Sequence, residues 1–148
     1  MQICGEQSMR EMGARLIQAC NSAGVITLKG DLGTGKTTLV RGALESRGIT
    51  SGVRSPTYTL IEFYPLPGLS IAHLDLYRLG DAEELEYLGF RDYLESDTLC
   101  LIEWPERAGH FLDMAGLEIE LSYQSECREL VFKPRNAWGE QIASAITG

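Results

Sequence analysis

The stretch VITLKGDLGTGKTTLVRG, residues 25–42, starts as a short β-rich run, passes through three glycines, and continues into a lysine, two threonines and a helical pattern. Residues 30–37 match GxxxxGK[ST] at every fixed position, with a strand before and a helix after, the context the motif requires. Each residue type has a physical task. The glycines let the chain wrap so that successive N–H groups face phosphate oxygens, and the positive end of the following helix adds its partial charge. Lys36 supplies a point charge for the β and γ phosphates, and the Thr37 hydroxyl a ligand for Mg²⁺. The competing reading is a plain glycine-rich turn with Lys36 solvated.

Outward from the loop, residues 8–20 carry Met9, Met12, Leu16 and Ala19 at helical spacing, with Ser8 and Glu11 placed as a capping box. Residues 36–47 form the helix after the loop, stopped by Gly48. Residues 59–64 and 70–77 read as a hairpin around PLPG. Asp81 with Glu84 caps a helix to about Leu88, a further turn or two covers Phe90 to Leu94, and TLCLIE, residues 98–103, is a continuous apolar strand. Residues 117–123 and 128–134 are strands joined by QSEC, and Asn136 caps a terminal helix. Strands alternating with helices predict an α/β fold, a three-layer sandwich with a mostly parallel central sheet and a peripheral antiparallel hairpin.

The chain has 148 residues and 16.4 kDa, the size of a single domain. Hydrophobic residues at 44% and charged residues at 23% are those of a soluble globular protein. There is no apolar run of membrane-spanning length and no secretory pattern in MQICGEQSMR, so a cytoplasmic location without membrane contact is expected. Cys4, Cys20, Cys100 and Cys127 form no CxxC pair and are expected to be reduced thiols. The net charge of −8 disfavours independent tight binding of nucleic acid, which needs a concentrated basic surface, and suits a basic protein partner.

A nucleotide loop also needs a carboxylate near the metal and a group that positions the nucleophile. Glu103 ends an apolar strand at the sheet edge where ligands bind in open α/β folds, so it is the candidate for the Mg²⁺ shell. Trp104 beside it is either core or a wall of the site. HLDLYRL, residues 73–79, would place His73, Asp75 and Tyr77 on one face, either a polar network that orients water or a solvated surface. Ser55-Pro56-Thr57 lies where many nucleotide switches keep a γ-phosphate sensor.

GDLGTGKTT, SPTYTL, HLDLYRL followed by DAEELEYLGFRDYL, and CLIEWPE occur in the order and spacing of the TsaE family, which the chain resembles from about residue 5 to 133. These are small P-loop ATPases of the bacterial machinery that makes threonylcarbamoyladenosine on tRNA. The resemblance implies a cytoplasmic ATPase that docks on TsaB and TsaD type proteins, meets tRNA only through that complex, and supports its turnover without transferring the group. It implies that residues 33–38 (Gly33, Thr34, Gly35, Lys36, Thr37 and Thr38) hold the phosphates of ATP. Thr37 and Glu103 would hold Mg²⁺, Asp75 would be catalytic, and Thr57 would act as a switch residue. The backbone near Glu6 and the Arg128 side chain would border the adenine or ribose. Three other classes remain open from the residues alone. A small-molecule kinase usually brings arginines over the phosphates, and only Arg78 and Arg91 lie between residues 60 and 100. A GTPase switch usually carries NKxD, and neither Asn21 nor Asn136 precedes a lysine. A non-hydrolysing nucleotide-dependent adaptor is the third alternative.

Overall fold

The computed structural model describes residues 1–50 and 60–148, so Thr57 and the rest of the SPT segment lie outside the described residues. In chain order the elements are β1 (Gln2–Ile3), α1 (Glu6–Ala19), β2 (Gly24–Lys29), α2 (Lys36–Ser46), β3 (Ile61–Tyr64) and β4 (Ser70–Asp75). Then come α3 (Glu84–Tyr87), α4 (Phe90–Glu95), β5 (Thr98–Glu103), a 3-10 segment (Pro105–Leu112), β6 (Leu117–Gln124), β7 (Cys127–Pro134) and α5 (Ala137–Thr147).

All described strands join one sheet in the order β1, β7, β6, β2, β5, β4, β3. The central four, β6, β2, β5 and β4, are mutually parallel, while β3 on one side and β7 with β1 on the other pair antiparallel. The reason is visible in composition. TLCLIE has no polar face to give to water, and every residue of β5 is buried, as a strand covered on both sides must be. β6 alternates instead, with Leu117, Ile119 and Leu121 buried and Glu118 and Glu120 partly exposed, the pattern of a strand with one covered face.

Helices cover both faces, giving the expected three layers. Met12, Leu16, Leu39, Leu44 and Ile142 from α1, α2 and α5 pack on Ile26, Leu28, Leu99 and Leu101. On the other face Leu85, Phe90 and Leu112 from α3, α4 and the 3-10 segment pack on Val25, Cys100 and Ile102. Burying each such side chain is worth roughly 2 kcal/mol of transfer free energy, so successive residues of one strand serve two cores.

Several expectations need correction. α1 begins at Glu6, not Ser8; Gly5 turns the chain with φ 89°, a conformation cheap only for glycine, and Ser8 falls inside the helix without capping it. Glu6 meets Arg10 one turn on, at 2.9 Å. β4 stops at Asp75, so the alternation expected through Tyr77 breaks: Leu76 N–H donates to the Glu103 carbonyl and the chain turns across the end of β5. Cys4 and Cys127 are joined in a disulfide, not reduced. The antiparallel register of Gln2 with Glu129 and Ile3 with Arg128 brings the next pair, Cys4 and Cys127, within 4.4 Å between Cα atoms. Cys20 and Cys100 are the buried free thiols expected, each pushed by burial to a pKa of about 12.

Another sequence signal holds. Gly139 N–H donates to the Asn136 side chain at 2.8 Å, capping α5. The cap expected at Asp81 differs: Glu84 accepts from Asp81 N–H, but Asp81 accepts from Glu83 N–H, and α3 starts only at Glu84 with no side-chain cap bond.

Candidate functional site

β2, β5 and β4 run in the same direction and end together, which sets the loop after β2 beside the last residues of the other two strands. The loop itself depends on positive φ at Gly33 (80°) and Gly35 (104°), the latter leading directly into α2. Thr34 is 1% exposed and ties the loop to itself, its hydroxyl donating to the Asp31 carbonyl at 2.8 Å.

Lys36, the first residue of α2, is 4% exposed. Its ammonium donates to the carbonyls of Gly30 and Asp31 and lies 3.9 Å above the Trp104 ring. The solvated lysine of a plain turn is excluded by this burial. Burial lowers the Lys36 pKa, while Glu103, Asp75, Glu106 and Asp31 pull it back up. Trp104 is thus a wall of the site; its own φ of 57°, costly for a bulky residue, turns the ring under the ammonium. The Tyr77 ring packs against it, tilted, with centroids 5.0 Å apart.

One turn-start further, the Thr37 hydroxyl reaches both carboxylate oxygens of Glu103, at 3.1 and 3.0 Å. His73 Nε2 meets Glu103 Oε2 at 2.6 Å, and His73 is 1% exposed, so the alternative of a solvated sheet face is ruled out for it. Asp75 is paired in register with Glu103, partly exposed at the strand end, and accepts from Tyr77 N–H at 3.1 Å. Burial holds the Asp75 carboxyl above its ordinary range, the Tyr77 hydrogen bond lowers it in part, and the neighbouring Glu103 raises it.

The turn joining β6 and β7 leans on the other side of the loop. Tyr123 donates to the Leu32 carbonyl, Arg128 donates to the Gly33 carbonyl at 3.3 Å, and the Arg128 guanidinium lies 4.5 Å from the Tyr123 ring centre. Two cavities meet at the loop. One of about 400 Å³ is bordered by Lys36, Thr37, Asp75, Glu103 and Trp104, and one of about 230 Å³ by Glu6, Thr34, Glu126 and Arg128. Gly33, Gly35 and Thr38 border both.

Glu6, Gly33, Thr34, Gly35, Lys36, Thr37, Thr38, Asp75, Glu103 and Arg128 therefore each border one of these two cavities, while His73 is buried behind Glu103; Thr57, with Ser55 and Pro56, lies outside the described residues. Sequence reading did not pair His73 with Glu103, and it missed Tyr123 and Glu126. Tyr123 had a signal: it stands opposite Arg128 across the turn. Chemically, a loop of inward glycines, a buried ammonium and the oxygens of Thr37 and Glu103 form a setting for a polyanion with a hard cation. No three His, Cys, Asp or Glu side chains converge as a metal cage among the described residues.

A family model described as "Threonylcarbamoyl adenosine biosynthesis protein TsaE" matches residues 3–130. The chain is 45% identical over 123 residues to a tRNA threonylcarbamoyladenosine biosynthesis protein TsaE of Haemophilus influenzae, covering 83% of this chain and 78% of the relative. The protein of the same name from Bacillus subtilis is 40% identical over 109 residues, covering 73% and 68%. Among solved structures, that of Bacillus subtilis YdiB superposes with a TM-score of 0.77 over 99% of this chain and 92% of that one, at 24% identity, a likeness of fold.

Proposed function

The chain belongs to the TsaE family, and from that premise we propose that it is the ATP-binding and ATP-hydrolysing component of a tRNA threonylcarbamoyladenosine modification machinery. It works in the cytoplasm with TsaB and TsaD type proteins, supporting their turnover without transferring the group itself. The observation that carries the reading is the meeting of Thr37 with Glu103, with Asp75 in register beside them, at the head of a glycine loop. A phosphate-binding loop alone is common to kinases, switches and motors. Two carboxylates at the ends of adjacent strands supply what hydrolysis needs: one for the metal and one for water.

In this reading Gly33 to Thr38 wrap the phosphates and Lys36 exchanges its contacts with Gly30 and Asp31 for phosphate oxygens. Thr37 and Glu103 hold Mg²⁺, which neutralises charge on the β and γ phosphates when bound. Asp75 faces the same cavity from the neighbouring strand and orients the attacking water, accepting its proton; a pKa above the ordinary carboxylate range makes it a stronger base. Glu6 and Arg128 border the second cavity, where the base and ribose extend. The acidic net charge suits this division, with RNA contact left to the partner proteins. No described helix is long and apolar enough to cross a membrane.

The test is calorimetric titration of ATP and GTP with and without Mg²⁺, followed by phosphate release with and without the partner proteins. Expected are ATP selectivity, loss of binding in Lys36→Ala, and multiple rounds of tRNA modification only when ATP is hydrolysed. Clear preference for GTP, or phosphate transfer to a metabolite in place of free phosphate, would overturn the reading.

A further inference from the structure

We propose that His73 is a positioning residue that holds the Glu103 carboxylate in the orientation serving Mg²⁺, an inference that rests on the reading of Glu103 as part of the metal's shell. Glu103 is the last residue of a strand buried throughout, and its side chain is only 3% exposed. A carboxylate so enclosed must have donors for both oxygens. Thr37 approaches both, at 3.1 and 3.0 Å, but its hydroxyl carries one hydrogen and satisfies one oxygen at a time. His73 supplies the second donor, 2.6 Å from Oε2, and among the described residues it is the side-chain donor that stays on Glu103 when the Thr37 oxygen turns to a cation.

The sheet explains how His73 reaches. In the parallel register of β4 and β5, Asp75 stands beside Glu103 and His73 beside Leu101, so the imidazole approaches along the strand from inside the core while the open end of the cavity is left to the ligand. The other ring nitrogen, Nδ1, is buried and has no hydrogen-bond partner among the described residues. An ionised carboxylate only accepts, so a hydrogen belongs on Nε2, the nitrogen that faces Glu103. A side chain kept there for packing alone would be leucine or phenylalanine, which fill the same space without an unmatched polar atom. The cost is retained because one nitrogen has a task, orienting a metal-binding group from behind.

The test uses His73→Leu, His73→Asn and His73→Gln, with Glu103→Gln as reference, and follows binding of a non-hydrolysable ATP analogue as Mg²⁺ is raised. The amide nitrogen of glutamine falls near the place of Nε2 and donates to Glu103; that of asparagine falls short. Expected is a rise in the half-saturating Mg²⁺ concentration of about tenfold or more for the Leu and Asn variants, with analogue affinity in EDTA unchanged, and near wild-type behaviour for the Gln variant. If the Leu variant does not fold, the Asn and Gln pair decides. Equal shifts in Asn and Gln variants, or none in either, would overturn the proposal. If Glu103→Gln shifts the Mg²⁺ midpoint and His73→Asn does not, the positioning role alone falls. Should Glu103→Gln leave the midpoint unchanged, the metal reading of Glu103 falls and the role of His73 with it.

Discussion

At the residue scale, the role proposed for Asp75 and its effect on stability pull against each other. Burial raises its pKa, so the folded chain holds this proton more tightly than the unfolded chain does. Its contribution to stability is therefore greatest when protonated and falls as pH rises from the ordinary value of 3.8 through the raised folded value. Asp75→Asn removes that loss. The ligand-free variant is expected to melt above the wild type at neutral pH, with the difference shrinking below pH about 4, as followed by thermal unfolding across pH. The same substitution should lower ATP hydrolysis by about a hundredfold or more while leaving analogue binding within a few-fold. Full hydrolysis by this variant in the assembled complex would remove Asp75 from the mechanism. Lys36 and Asp75 were both legible as candidates because each sits in a short polar signature. The partnership of His73 with Glu103 was not, since the two are 30 residues apart and meet only through strand register.

At the element scale, the site depends on how closely α1 can approach α2. A methyl group on Gly13 would lie 2.0 Å from the Leu39 carbonyl oxygen, and one on Gly42 would lie 2.1 Å from that of Arg10. Both clashes are with backbone, which cannot swing aside. Gly13→Ala is expected to cost on the order of 3 kcal/mol, read from urea unfolding. It should also weaken nucleotide binding, because α2 begins with Lys36 and Thr37. β2, α2, β5 and the cap of α5 were legible in sequence for a local reason: an apolar run or a capping residue marks each. β1 was not, since two residues carry no periodicity, and the early start of α1 depends on the turn at Gly5 that leaves β1. The 3-10 segment has no repeating pattern either, as Gly109 interrupts it with φ 57° and ψ −130°.

Across the whole molecule, the Cys4 to Cys127 bond joins positions 123 residues apart in sequence. It ties the start of α1 to the turn of the β6 and β7 hairpin, whose Tyr123 and Arg128 steady the glycine-rich loop. Closing so long a loop restricts the unfolded chain strongly. Reduction is expected to lower unfolding free energy by about 3 kcal/mol, measured by denaturant titration with and without dithiothreitol. The Cys4→Ser, Cys127→Ser double variant should match the reduced protein and ignore the reductant. Cys20 and Cys100, buried with pKa values of about 12, should resist alkylation in the folded oxidised protein.

What the sequence determined by itself is what neighbours along the chain can build: strand, glycine loop and helix from residue 25 to 47, the buried strand ending on Glu103, and the candidate carboxylate Asp75. Tertiary structure decided what these groups do to one another. Thr37 finds Glu103 across 66 residues, His73 completes that carboxylate from the next strand, and a hairpin near the C-terminus braces the loop. Local chemistry is written in residue order because backbone geometry couples only near neighbours. Contacts between distant residues follow strand order and register, which short-range patterns of hydrophobicity and turn chemistry do not contain.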